Sequence, residues 1–209
     1  MTEQLRLKKL LKTARDHHAE ENHLILIPKK LSKKVYAYGA MKHDLELILD
    51  YIKELKKNSE SIASSGMTYA MIILYGKCFT DASKDGFPKL ESSDIFKNEE
   101  ELLKHHNYLM NLRHKFLAHR SYIMDEIAIV YLAVKKDNNR IAELKYKQMK
   151  LSSFSKNKLT DFMKVFHYVE IQIEQKLEKS SKKLYDGIIK KYSKEEIEKL
   201  IFNDINLEG

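Results

Sequence analysis

The stretch "KVYAYGAMKHDLELILDYIKELKK", residues 34–57, decides the fold. Tyr38, Met41, Leu45, Ile48, Ile52 and Leu55 step by 3-4-3-4-3 along it, the spacing of one face of an α-helix. A helix with such a stripe must lay it against other elements, so the chain around it is expected to supply partners. "NSES" (58–61) is a turn and N-cap cluster. A second helix follows, with Met67, Met71, Leu74 and Cys78 on one face, ending near Ser83. "KDGFPKLESSD" (84–94) reads as a loop. A third helix is expected from about Asn98, a cap with Glu101 three residues on, to about His119.

The period then changes. "EIAIVYLAVKK" (126–136) is β-branched and apolar, "DNNR" (137–140) is turn chemistry, and "IAELKYKQMKL" (141–151) alternates Leu144 and Tyr146 against Glu143, Lys145 and Lys147. That pattern predicts a β-hairpin over about 126–151. A fourth long helix is expected over 156–191, with Leu159, Phe162, Phe166, Val169, Ile173, Leu177 and Leu184 in its stripe. "SKEEIEKL" (193–200) opens with a capping box. The expected architecture is mainly α: a four-helix bundle with an inserted β-hairpin and helical additions at both ends. Its divisions are a basic arm over 1–33, with "LILIPKK" (24–30) as strand or connector, a helical domain over 34–191, and a short helix and tail over 192–209.

Composition narrows the class. The chain has 209 residues, only two prolines and six glycines, which disfavours a turn-rich all-β fold. The apolar runs 70–75 and 127–134 are too short to cross a bilayer, and the first residues lack the core of a signal peptide, so a cytoplasmic protein is expected. A lone cysteine, Cys78, excludes an intramolecular disulfide and a cysteine-based zinc site; it reads as a small core residue. A net charge of +8 and a pI near 9.2 suit a polyanionic partner, although lysines scattered along every segment also serve as solvated faces.

One stretch departs from the chain's habits. "LMNLRHKFLAHR" (109–120) holds two of only five arginines, and two histidines, at the end of the third helix. On a helical wheel, Arg113 falls between Leu102 and His106, with Leu109 and Phe116 just beyond Leu102 on the other side. Arg113 therefore sits within the arc that should be buried, and burying an unpaired guanidinium costs several kcal/mol, on the order of 3–5. Two explanations stand side by side. Arg113 is ion-paired to a core carboxylate such as Asp44, Glu46 or Asp50, or its face lines a cleft or subunit interface where an anion binds.

Arg113 and His119 have five residues between them, with a polar residue, His114, directly after the arginine. This R-x5-H arrangement in "LRHKFLAHR" resembles the signature of the HEPN superfamily. "MTYAMIILYGKCFTDASKDG" (67–86) looks like the helix and loop that precede the motif in HEPN proteins of the abortive-infection kind. The hairpin between the motif helix and the last long helix is similar too, so the resemblance covers roughly residues 34–180. It implies a helical bundle that dimerises across a shared cleft. Many such proteins are metal-independent endoribonucleases, some acting as toxins or phage-defence effectors; others are catalytically inactive modules that bind nucleic acid or a protein partner.

Carried over residue by residue, the resemblance makes Arg113 and His119 catalytic, with His114 as the polar follower. That position is usually Asn, Asp or His, and a histidine there can compete as acid or base. Lys115 and Arg120 flank the motif and could hold RNA phosphates; cations at a helix end also have an ordinary account in the helix dipole. Tyr75, Lys77 and Tyr108 are candidates for the neighbourhood of the cleft, but no role is assigned to them. No cofactor is implied, and a cognate antitoxin, as some relatives of this kind have, is a possible partner. His105, His106, His114 and His119 lack the i,i+4 spacing of a helical metal site, so no metal is expected. On a straight helix, positions six apart point about 240° apart. Arg113 and His119 can then meet only if the helix ends before His119 or a second copy supplies one of them.

Overall fold

The long stripe is buried where the spacing places it. In the computed structural model, which describes residues 3–18, 27, 29–59, 61–114, 127–136, 140–149, 151, 153–193 and 195–196, helix α2 (Lys29–Lys57) buries Leu45, Ile48, Ile52 and Leu55 completely, with Tyr38 and Met41 packed against the same core. The other helices are α1 (Glu3–His18), α3 (Ile62–Cys78), α4 (Ser92–Ile95), α5 (Glu100–Leu112) and α6 (Lys156–Lys191). Between α5 and α6 stand two antiparallel strands, β1 (Ile127–Val134) and β2 (Ile141–Met149). The fold is mainly α with an inserted hairpin, as the change of period predicts.

The chain divides into two compact units, Met1–Tyr36 with Glu178–Gly209, and Ala37–Leu177. The second holds the hydrophobic core, built from α2, α3, α5 and the first half of α6. Leu159, Phe162, Val165, Phe166, Val169 and Ile173 of α6 are fully buried; Leu177 and Leu184, expected on the same stripe, are partly exposed. Each fully buried large apolar side chain contributes about 1.5–3 kcal/mol relative to exposure. Between the two long helices, Lys42 of α2 reaches Glu174 of α6 at 2.6 Å.

Helix boundaries differ from the periodic reading where local hydrogen bonding, not burial, sets them. Helix α2 starts at Lys29, before residue 34, because "KKLSKK" is helical without an apolar stripe; Leu31 there is exposed. Ser61 caps α3 as expected, accepting from the Ser64 N–H at 3.1 Å. That helix stops at Cys78, short of Ser83. The Phe79 N–H turns back to the Gly76 carbonyl, and the Thr80 hydroxyl donates to the same oxygen at 2.7 Å. Beyond it, Asp81 accepts from the Ser83 N–H, and Gly86 takes the left-handed conformation (φ 73°) in a tight turn that pairs Ala82 with Phe87. The loop then drives Leu90, Ile95 and Phe96 into the core, and Tyr168 donates its hydroxyl to the Ile95 carbonyl.

Helix α5 is preceded by Glu99 rather than Asn98, without a side-chain cap, and Glu101 pairs with Lys104 at 2.6 Å in place of the expected capping box. Its α-helical residues end at Leu112, with Arg113 and His114 in a wider helical turn, and the expected end near His119 lies outside the described residues. Strands β1 and β2 pair in the register Ala128↔Gln148 to Ala133↔Glu143, so that Leu132 faces Leu144 and Val130 faces Tyr146. Both members of each pair are largely exposed, because the apolar positions of the hairpin lie outside the core cluster. The chain re-enters the core at Leu151 and Phe154. Ser193 and Glu196 make the reciprocal hydrogen bonds of the predicted capping box, Ser193 N–H to Glu196 at 2.8 Å and Glu196 N–H to Ser193 at 3.2 Å. Most of "LILIPKK", the hairpin turn residues 137–139 and the chain beyond Glu196 lie outside the described residues.

Candidate functional site

The site grows from the end of α5. Leu109 and Leu112 are buried on its inner face, and Met110 and Leu102 pack at the margins. Arg113 follows as the C-cap, its backbone still helical (φ −58°, ψ −50°) and its N–H turned to the carbonyls of Leu109 and Met110. At Arg113 and His114 the chain widens into a π-helical turn, a form found often at functional positions. Arg113 is half-buried, as its place on the wheel predicts, while His114 is exposed.

The arginine stem lies across helix α3 at Gly76. A β-carbon built on Gly76 would come within 2.5 Å of Arg113 Nε and 3.2 Å of its Cγ, and would overlap its Cδ. With Arg113 in this position, a side chain at residue 76 would have to displace the stem. Gly76 is itself buried, and α3 and α5 pack against each other here. The carboxylates that would have offered a structural ion pair are engaged elsewhere. Asp44 holds Lys77 at 2.6 Å, Asp50 holds Lys53 at 2.7 Å, and Glu46 stands beside Lys42 and His43. Among the described residues, none pairs with Arg113.

Seven residues before Arg113 on the same helix, His106 shares a buried hydrogen bond of 2.8 Å with Tyr75, between Nδ1 and the hydroxyl. The imidazole is also packed against Phe79 (4.4 Å between centroids) and Phe96 (4.8 Å). Burial lowers the His106 pKa to about 4, so the ring is neutral at physiological pH; burial likewise pushes the Tyr75 phenol well above its ordinary value. A neutral imidazole walled by three aromatic rings is a core histidine. It satisfies Tyr75 and ties α3 to α5. Tyr75 is fully buried. Lys77 is exposed on the Asp44 side, and Tyr108 stacks with Phe162 under the ammonium of Lys158.

Of the five residues singled out in "LRHKFLAHR", the structure therefore describes two. Lys115, His119 and Arg120 lie outside the described residues. His105 stands edge-on to Phe162, and among the described residues no group of three or more His, Cys, Asp or Glu side chains is arranged to hold a metal ion. Cys78 is buried, and its thiol is pushed up to about 12, which makes it inert packing. Among the described residues no helix is long and apolar enough to cross a membrane. Periodicity missed Gly76, whose signal was a lone glycine inside the apolar run "MIILYGKC".

No family model matches the chain, and no curated protein or solved structure matches it either.

Proposed function

We propose that this chain is a metal-independent endoribonuclease of HEPN type, acting as a homodimer, in which Arg113 grips the scissile phosphate. The observation that carries the reading is the state of Arg113: half-buried, seated on a glycine, and unpaired by any described carboxylate. A guanidinium in that position is poised to meet an anion, and its planar fork matches phosphate geometry.

In the reaction the ribose 2′-oxygen attacks the adjacent phosphorus and the 5′-oxygen leaves, giving a 2′,3′-cyclic phosphate. His119, whose imidazole can both accept and give a proton, takes the 2′-hydroxyl proton or returns one to the leaving oxygen. His114, exposed next to Arg113, is the competing acid or base. Arg113 stabilises the charge that grows on the phosphate oxygens. Lys115 and Arg120 hold neighbouring phosphates, and a second copy completes the cleft. A toxin or phage-defence role, with a cognate antitoxin to restrain it, is the biological setting this chemistry fits.

A second reading is favoured by one separate feature. Lys179, Lys182, Lys183 and Lys190 line a shallow hollow along α6, with Asp186 and Gly187 among them. Such a lysine face suits a polyanion without any chemistry, as in an inactive module that only binds nucleic acid. Incubation with single-stranded RNA in EDTA separates the two. Cleavage that disappears in Arg113→Ala and His119→Ala supports the enzyme; retention of RNA without cleavage supports the binding module.

A further inference from the structure

We propose that Gly76 is the positioning residue of Arg113, a gap in the surface of α3 that fixes where the guanidinium emerges. The inference rests on the reading of Arg113 as the anion-binding residue and adds to it the part of the fold that aims it.

Three observations converge on Gly76. It stands within a largely apolar, well-buried helix, where glycine is less favourable than alanine by about 1 kcal/mol, so its presence calls for a packing reason. The helical glycines Gly39, Gly66 and Gly187 would each accept a β-carbon with nothing within 4 Å, whereas at Gly76 it would collide. The atoms it meets first are Cγ, Cδ and Nε of a single side chain, Arg113. The missing side chain is therefore matched to this arginine and not to the general packing of α3 on α5.

The residues on either side of Gly76 are engaged with neighbouring helices. Tyr75, one position before, is hydrogen-bonded to His106 of α5; Lys77, one position after, pairs with Asp44 of α2. The Thr80 hydroxyl donates to the Gly76 carbonyl and ends the helix there. Arg113 has long, flexible carbons, and the missing β-carbon at Gly76 is what lets them lie against α3 here. A seat against which the stem of an arginine packs cuts the rotamer freedom lost when its head binds an anion.

The test is a four-protein set: the natural chain, Gly76→Ala, Arg113→Ala and the double variant. In denaturant unfolding, Gly76→Ala lowers the stability of the natural chain, because the new methyl overlaps the Arg113 stem. In the Arg113→Ala background the same change raises the folded-to-unfolded ratio by about fivefold, the ordinary gain of alanine over glycine in a helix. The Arg113 Nε–H resonance, assigned by its loss in Arg113→Ala, shifts in Gly76→Ala. With RNA, Gly76→Ala lowers kcat about a hundredfold at little cost in KM, as a misaimed but still cationic side chain should. An equal loss of stability in both backgrounds, or an unmoved Nε–H resonance, overturns the proposal. Absence of RNA cleavage by the natural chain, with the unfolding pattern and the resonance shift as described, overturns the ribonuclease reading and leaves the glycine seat standing.

Discussion

A guanidinium keeps its charge at every pH a cell reaches, so the energetic question at Arg113 is what stands opposite it. The sequence left two answers open, a core carboxylate or a bound anion. Asp44, Asp50 and Glu46 each have a lysine or histidine beside them instead, which removes the carboxylates first considered. On the same pair of helices, the Tyr75–His106 hydrogen bond makes a second prediction. Tyr75→Phe leaves His106 Nδ1 buried without its partner and should cost about 1–3 kcal/mol in denaturant unfolding. The imidazole itself gives a pH signature. Its folded pKa of about 4 lies below the ordinary 6.5, so the unfolded chain binds the proton more readily. The stability this ring contributes is complete above about pH 6.5 and is lost as pH falls through about 4. An NMR titration should place the His106 midpoint near 4, and a midpoint at about 6 or above would contradict its burial.

At the scale of elements, what was legible followed the apolar stripes. Helix α6 runs over the residues its periodicity marked, 156–191, and the hairpin appears where the period changes from 3.6 to 2. Termini set by hydrogen bonds rather than burial were less legible. Thr80 ends α3 early by donating to a carbonyl, and Glu101 prefers Lys104 to a cap. The hairpin shows the limit of pattern reasoning from the other side. Leu132, Leu144, Val130 and Tyr146 alternate as a buried face would, yet they are exposed. Val130→Lys should accordingly leave the thermal midpoint almost unchanged, whereas Phe162→Ala, in the α6 stripe, should cost about 3–5 kcal/mol. A large loss from Val130→Lys would show that the hairpin is covered in solution. Ser61→Ala removes the α3 cap and should cost about 1 kcal/mol.

For the whole molecule, a charge of +8 and a lysine-lined face on α6 predict RNA affinity that falls steeply with salt, with log–log slope about −0.7 for each phosphate neutralised. Binding indifferent to salt between about 50 and about 200 mM would argue against phosphate contacts. The candidate site was half legible in the sequence. The wheel marked Arg113 as a charge in the wrong place, since a residue's own angle can be computed from its neighbours. Gly76 was not marked, because its contact joins positions far apart in the chain and no local pattern carries it. The central claim is that Arg113 acts on RNA phosphate without a metal. The most direct measurement is cleavage of a labelled single-stranded RNA by the purified chain in excess EDTA, beside Arg113→Ala with its folding verified by circular dichroism. The account predicts cleavage leaving 2′,3′-cyclic phosphate ends, reduced at least about a hundredfold by the substitution. Equal cleavage by both proteins, or none by the natural chain with any RNA, would contradict it.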